Sequence, residues 1–183
     1  MPSARPRNHG PGGVAFLLAQ VGQHAADMFA ERISPEGLTN AQAGILRAIS
    51  AEPGQSQQAL SSQFGLLPSR MVAFLDDLEE RGHVERRRNP NDRRLHALHL
   101  TPQGEELMAR LSRLARQHEQ LLTASLTPQQ RTALQESLAI IAEEHGLTPG
   151  VHPGYRHLAA APRRSERLPR SQTTTADSHR ADD

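Results

Sequence analysis

The sequence predicts a mainly α fold with one small β-hairpin, and three observations carry that reading. Apolar residues recur at three- and four-residue spacing through most of the chain. Helix-opening signals precede these segments: Thr39-Asn-Ala-Gln42 and Thr127-Pro-Gln-Gln130 form capping boxes, and Thr101-Pro102 caps another start. The pattern changes once, between Val84 and Leu100, where two short runs flank the turn Asn89-Pro90-Asn91-Asp92.

Taken in order, residues 1–13 are rich in Pro, Gly and Arg and read as a disordered N-terminal tail. Val14, Leu18, Val21, Ala25, Met28 and Phe29 predict an amphipathic helix over about 14–33. The Thr39 box opens a second helix carrying Ile45, Leu46 and Ile49, which Pro53-Gly54 ends. Ser56 caps a short third helix that stops at Gly65. Pro68 starts a fourth through Met71, Phe74, Leu75 and Leu78, with Gly82 at its end. Val84–Arg88 and Leu95–Leu100 are the two strands. A fifth helix carries Leu107, Leu111, Leu114, Leu121 and Leu122, and a sixth Leu134, Leu138 and Ile141. From Gly146 to Asp183 the chain has no apolar periodicity and reads as a flexible C-terminal tail.

Composition narrows the function. The chain has 183 residues, which suits one domain with tails. It contains no Cys, which excludes thiolate catalysis, Cys-based zinc sites and disulfides. Apolar runs fall short of the ~20 residues of a membrane span, and the N-terminus lacks the apolar region of a signal peptide. The expectation is a soluble, cytoplasmic protein. No HExxH, Gly-rich phosphate loop or nucleophile elbow is present, so neither an enzyme nor a cofactor is expected. Nor is a metal site. His96 and His99 fall on opposite faces of a strand, and the histidines read mainly as structural or solvated. His24 and His118 could still converge in a dimer pocket.

Three short helices followed by a two-stranded hairpin is the order of a winged helix-turn-helix, in which the fourth helix lies in the DNA major groove. Charge placement agrees. The net charge is only +1, yet residues 81–94 hold six Arg against Glu85 and Asp92, a local excess of four. The remainder of the chain sums to −3, so positive charge is focused on the hairpin, as polyanion binding requires. A solvated surface hairpin is the alternative for the charge run alone, but a helix-turn-helix directly upstream favours DNA. The fourth helix would offer Ser69, Arg70, Val72 and Ala73 to base edges, with Arg70 able to clamp guanine O6 and N7. In the wing, Arg86, Arg87, Arg88 and Arg93 read as phosphate contacts or as braces within the hairpin. Asp92 would orient Arg94, whose planar cation suits a narrow minor groove.

LTNAQAGILRAI, PGQSQQALSSQFGL and LDDLEERGHVERRRNPNDRRLHALHLTPQG resemble the winged-helix core of the MarR family of bacterial transcription regulators. The resemblance rests on Asp76, Leu78-Glu-Glu-Arg-Gly82, Val84-Glu-Arg86, Asn91-Asp-Arg-Arg94 and Leu100-Thr101, and Asp92-x-Arg94 matches the family's wing signature. It extends over about residues 14–145, because the first helix is similar too. It implies a homodimer on a pseudo-palindromic double-stranded operator, repressing by occlusion until a small organic effector binds between dimer helices and lobe. His24, Met28 and Leu111 are the candidates for that pocket. The expected domains are a helical dimerisation region (14–38 and 102–145), a winged helix-turn-helix (39–101) and the two tails (1–13 and 146–183). The competing reading is a helical, dimeric protein-interaction module whose basic tip stays solvated.

Overall fold

A computed structural model describes residues 12–88 and 96–152. Its elements run α1 (Val14–Ile33), a 3-10 turn (Ser34–Glu36), α2 (Asn40–Ala51), α3 (Gln57–Phe64), α4 (Pro68–Glu80), β1 (Val84–Arg88), β2 (His96–Leu100), α5 (Pro102–Leu122) and α6 (Pro128–Glu144). The chain is mainly α with one two-stranded antiparallel sheet. The local chemistry explains the boundaries. Both Thr39 and Thr127 accept from the backbone N–H three residues on, while Gln42 and Gln130 reach back to the cap. Ser56 and Thr101 cap α3 and α5 in the same way. Gly82, with φ of 72°, turns the chain from α4 into β1 through a left-handed conformation that other residues adopt at a cost.

The core lies inside the lobe formed by α2, α3, α4 and the hairpin, sealed by the first half of α5. Ile45, Leu46, Ile49, Leu60, Phe64, Met71, Leu75, Leu78 and Leu98 are fully buried there, joined by Leu107 and Leu111 from α5. These are the positions that the 3.6-residue period places on inward faces. The start of α5 sits hard against the turn before β1. A Cβ on Gly104 would stand 2.0 Å from the His83 carbonyl oxygen, so only glycine allows this approach. Thr101 completes the joint by donating from Oγ1 to the Gly82 carbonyl at 2.6 Å.

Three features differ from the sequence expectation. The segment before α3 adds a third edge to the hairpin. Gly54 N–H donates to the Leu98 carbonyl and Leu98 N–H to the Gln55 carbonyl, both at 2.9 Å, and Ser56 bridges Ala97. Three residues, from Gly54 to the helix cap Ser56, are too few to show period two, which is why the pattern hid them. Next, Ser34-Pro35-Glu36 forms a 3-10 turn, an element that the sequence pattern did not announce. Finally, the expected C-terminal tail starts at Gly146, but the chain stays packed through Val151. Leu147 N–H donates to the Ala142 carbonyl at 2.9 Å, Val151 packs on the core, and Gly150 lies under the Arg47 guanidinium. One apolar residue anchors this segment, so no periodicity announced it. Of the expected tails, 1–13 and 146–183, residues 1–11 and 153–183 lie outside the described residues. Among the described residues, no helix is long and apolar enough to cross a membrane.

Candidate nucleic-acid interface

Between α3 and α4 the chain turns at Gly65, whose φ of 60° lets its N–H and that of Leu66 return to the carbonyls of α3. Leu66 is buried, which fixes the angle between the helices, and Leu67 is exposed. Along α4, Met71, Phe74, Leu75 and Leu78 face the core. Ser69, Val72, Ala73 and Asp76 follow the i, i+3, i+4, i+7 spacing of a single opposite face. Ser69 and Ala73 are exposed, and Arg70 and Val72 are half-buried. Of the four α4 residues expected from the sequence, Ser69, Val72 and Ala73 share this face and Arg70 lies beside it.

The hairpin is attached to that helix by Arg86. From β1 its guanidinium reaches Asp76 at 2.6 Å and also pairs with Glu79, both on α4. Its backbone N–H points to the same Glu79 carboxylate. Of the two roles open to it, Arg86 takes the bracing one within the free chain. Arg87 lies against Glu85 on its own strand, at 2.5 Å. Arg88 is exposed at the end of β1, nearest the tip. The tip itself, with Asp92, Arg93 and Arg94, lies outside the described residues.

Electrostatically, the sequence count of a local excess of four overstated the charge available to a polyanion. It began at Arg81 and left out Asp76, Asp77, Glu79 and Glu80, just upstream. Adding these four acids to Glu85 and Asp92 gives six against six arginines. In space, Arg86 answers two of them. Arg81 faces Asp77 at 3.5 Å while donating to the carbonyls of Glu36 and Gly37 at 2.7 and 2.9 Å. Arg81 therefore holds the end of α4 to the 3-10 turn. Glu36 in that turn pairs with Arg110 of α5 at 3.2 Å, and Gln42 of α2 donates to Asp77 at 2.6 Å. This polar junction was hidden because its members are far apart in sequence.

The expected effector residues lie on the facing helices α1 and α5. His24 is exposed, Met28 half-buried, and Leu111 part of the packed core. His118, the other histidine expected near a dimer pocket, lies on α5. Its ring packs on Phe29 with centroids 5.4 Å apart, and burial, helped by Arg32, holds its pKa below the ordinary histidine value. His83 is buried at the polar junction and likewise lowered, first by burial and then by Arg81 and Arg110. A cleft of about 110 Å³ lies between α2, α3 and Pro149–Val151. That is well under the roughly 300–1,000 Å³ that encloses a drug-sized molecule. Among the described residues, no group of three or more His, Cys, Asp or Glu is placed to hold a metal ion.

With this geometry in view, the comparisons with known proteins are specific. The MarR family profile matches residues 36–95. A putative transcriptional regulatory protein for the hcr operon of Thauera aromatica is 35% identical over 140 residues, spanning 75% of this chain and 84% of the relative. Among solved structures, the transcriptional repressor CouR bound to a 23-mer DNA duplex is 37% identical. It covers 71% of this chain and 92% of its own, with a TM-score of 0.64. A Mycobacterium tuberculosis MarR family protein in complex with salicylic acid is 27% identical over 72% of this chain and 98% of its own, with a TM-score of 0.60. The chain belongs to the MarR family: it is a DNA-binding transcriptional regulator of winged helix-turn-helix fold, and not an enzyme.

Proposed function

We propose that the protein acts as a homodimeric repressor in the bacterial cytoplasm, each winged lobe (39–101) reading one half of a pseudo-palindromic operator. The observation that carries the dimer is the uncovered apolar surface of the flanking helices. Val14, Phe16 and Val21 on α1 and Leu134, Leu138, Ile140 and Ile141 on α6 are exposed, and α6 buries none of its residues against the rest of the chain. Such a surface marks an association site. Residues 14–38 and 102–145 are therefore assigned to dimerisation.

In this reading α4 enters the major groove with Ser69, Arg70, Val72 and Ala73 towards the bases. Arg88 and Arg93 follow phosphates, Arg94 oriented by Asp92 enters the minor groove, and Arg87 lines the outer strand. Arg86 acts indirectly. By pairing Asp76 and Glu79 it keeps two carboxylates from repelling the backbone of the operator. The solved neighbour held with salicylic acid supports a small organic effector for this chain too. It would bind where α1 meets α5, near His24, Met28 and Leu111. A chain without Cys has no thiol with which to sense oxidants.

The test is sedimentation of the full chain together with gel shifts on its own upstream DNA, with and without a panel of aromatic acids. A dimer that binds that DNA and is released by one of the acids is expected. A folded monomer at micromolar concentration would sink the assembly, and failure to bind any DNA in preference to a scrambled sequence would favour the protein-interaction alternative.

A further inference from the structure

Leu67 is a position in the helix-turn-helix where local chemistry runs against stability. It is the N-cap residue of α4, and no side chain caps that helix. Thr39, Ser56, Thr101 and Thr127 all accept a backbone N–H at the equivalent place in α2, α3, α5 and α6. A leucine cannot do this. Its side chain is not used in the core either, since Leu67 is 73% exposed. Among the described residues, the other exposed large hydrophobics lie at Val14–Val21 and Leu121–Ile141, on the helices assigned to dimerisation, apart from Leu147 just beyond α6. Leu67 stands apart from them in the winged lobe. It stands at the start of the same helix whose outward face carries the apolar Val72 and Ala73.

We propose that Leu67, with Val72 and Ala73, reads thymine 5-methyl groups in the major groove, so that the operator half-site is selected largely by apolar contact. This rests on α4 being the recognition helix, as proposed above. Thymine is the one base that presents an apolar group in that groove. Leu67, Val72 and Ala73 have no hydrogen-bonding side chain with which to read anything else. Ser69 and Arg70 are left as the polar readers in the first half of the helix. The six steps from Leu67 to Ala73 rise about 9 Å along the helix axis. That matches roughly three base steps of 3.4 Å. The methyl groups read by the two ends of this strip therefore lie about three steps apart.

The experiment uses the full chain and a duplex that it enriches from a randomised pool. Each thymine is replaced singly by deoxyuridine, which removes the methyl and keeps the base pair. The wild type should lose about fourfold in affinity at each of two positions about three steps apart, the effect of uncovering one methyl-sized group. Leu67→Ser should bind the thymine duplex about fourfold more weakly and become indifferent to deoxyuridine at one of those positions, while keeping its sensitivity at the other. Leu67→Ala, which adds no cap, should show the same loss of methyl sensitivity. Because serine restores a cap, Leu67→Ser should melt no lower than the wild type, which separates lost contact from unfolding. The proposal is overturned if the wild type is indifferent to every replacement, or if both variants keep the wild-type response at every position. If no duplex is enriched at all, the recognition-helix reading itself falls, and the enrichment step tells the two failures apart.

Discussion

In the lobe of α2–α4 and the hairpin, large apolar side chains such as Phe64, Phe74, Leu75 and Leu98 are turned inward and almost wholly covered. In the flanking helices the reverse holds: α1 buries only Ile33 and α6 buries nothing. The lobe is a finished structure within one chain, whereas the helices carry apolar surface that this chain leaves uncovered and that the proposed dimer would cover. The difference shows which residues answer to folding and which to assembly. The same kind of leucine has different consequences on either side of the boundary.

The largest expected effect breaks the lobe. Phe74→Ala should cost about 3–5 kcal/mol, because it leaves a cavity among fully buried neighbours. Ile141→Asp on α6, by contrast, should dissociate the dimer and abolish operator binding while leaving the lobe's fold intact. Amide exchange read alongside sedimentation distinguishes the two. If Ile141→Asp unfolds the lobe as Phe74→Ala does, the division between the regions is wrong. Next in size is Gly104→Ala at the joint between them, where the new methyl meets backbone rather than a yielding side chain. A loss of about 1–3 kcal/mol in thermal or denaturant melts is expected.

Smaller still, and on affinity rather than folding, is Arg86→Ala. The ion pairs it loses are partly exposed, so stability should fall by no more than about 1 kcal/mol. Operator affinity should fall about tenfold, as two carboxylates turn towards DNA phosphates. The double variant Arg86→Ala with Asp76→Asn should recover part of that loss. If it recovers none, Arg86 acts by direct contact. Arg93→Ala should lower affinity on all sequences alike and reduce the salt slope by about one unit.

The smallest effect is in pH, and it samples both regions. His83 at the junction and His118 on α5 both have pKa values below the ordinary 6.5, chiefly through burial. The folded protein then holds fewer protons than the unfolded chain, so stability is full above about 6.5 and declines as pH falls below it. His83→Gln should flatten this decline in the lobe's exchange, and His118→Gln in that of α1 and α5. An unchanged slope in both variants would place the dependence on other groups.

The helices and the wing were legible because caps, glycines and periodicity are local. Thr39, Ser56, Thr127 and Gly82 each announce a boundary within four residues of it, and β1 falls where the change of period placed it. What escaped the sequence was non-local. Glu36 and Arg110 are paired across 74 positions, and Gln42 with Asp77 across 35. The Gly54–Ser56 edge is too short to carry a pattern. The charge count was misleading for a related reason. It followed the chain, while Asp76 and Glu79 meet Arg86 by folding α4 against β1. The outward side of α4 was legible, since its buried members fixed which residues face outward.

The seat of α5 on the His83 carbonyl has a mechanical side. With 21 residues, α5 is a rod about 30 Å long, clamped at its base by Gly104 and Thr101. Any rotation of the lobe about that clamp is magnified along the rod, and any tilt of the rod is returned to the lobe. A swing of about 5° moves the far end by roughly 3 Å, close to one base step of DNA. Two such levers joined at their tips would make the distance between reading heads a steep function of a very small angle. A ligand wedged beside the pivot would then need to do little more than lean on it.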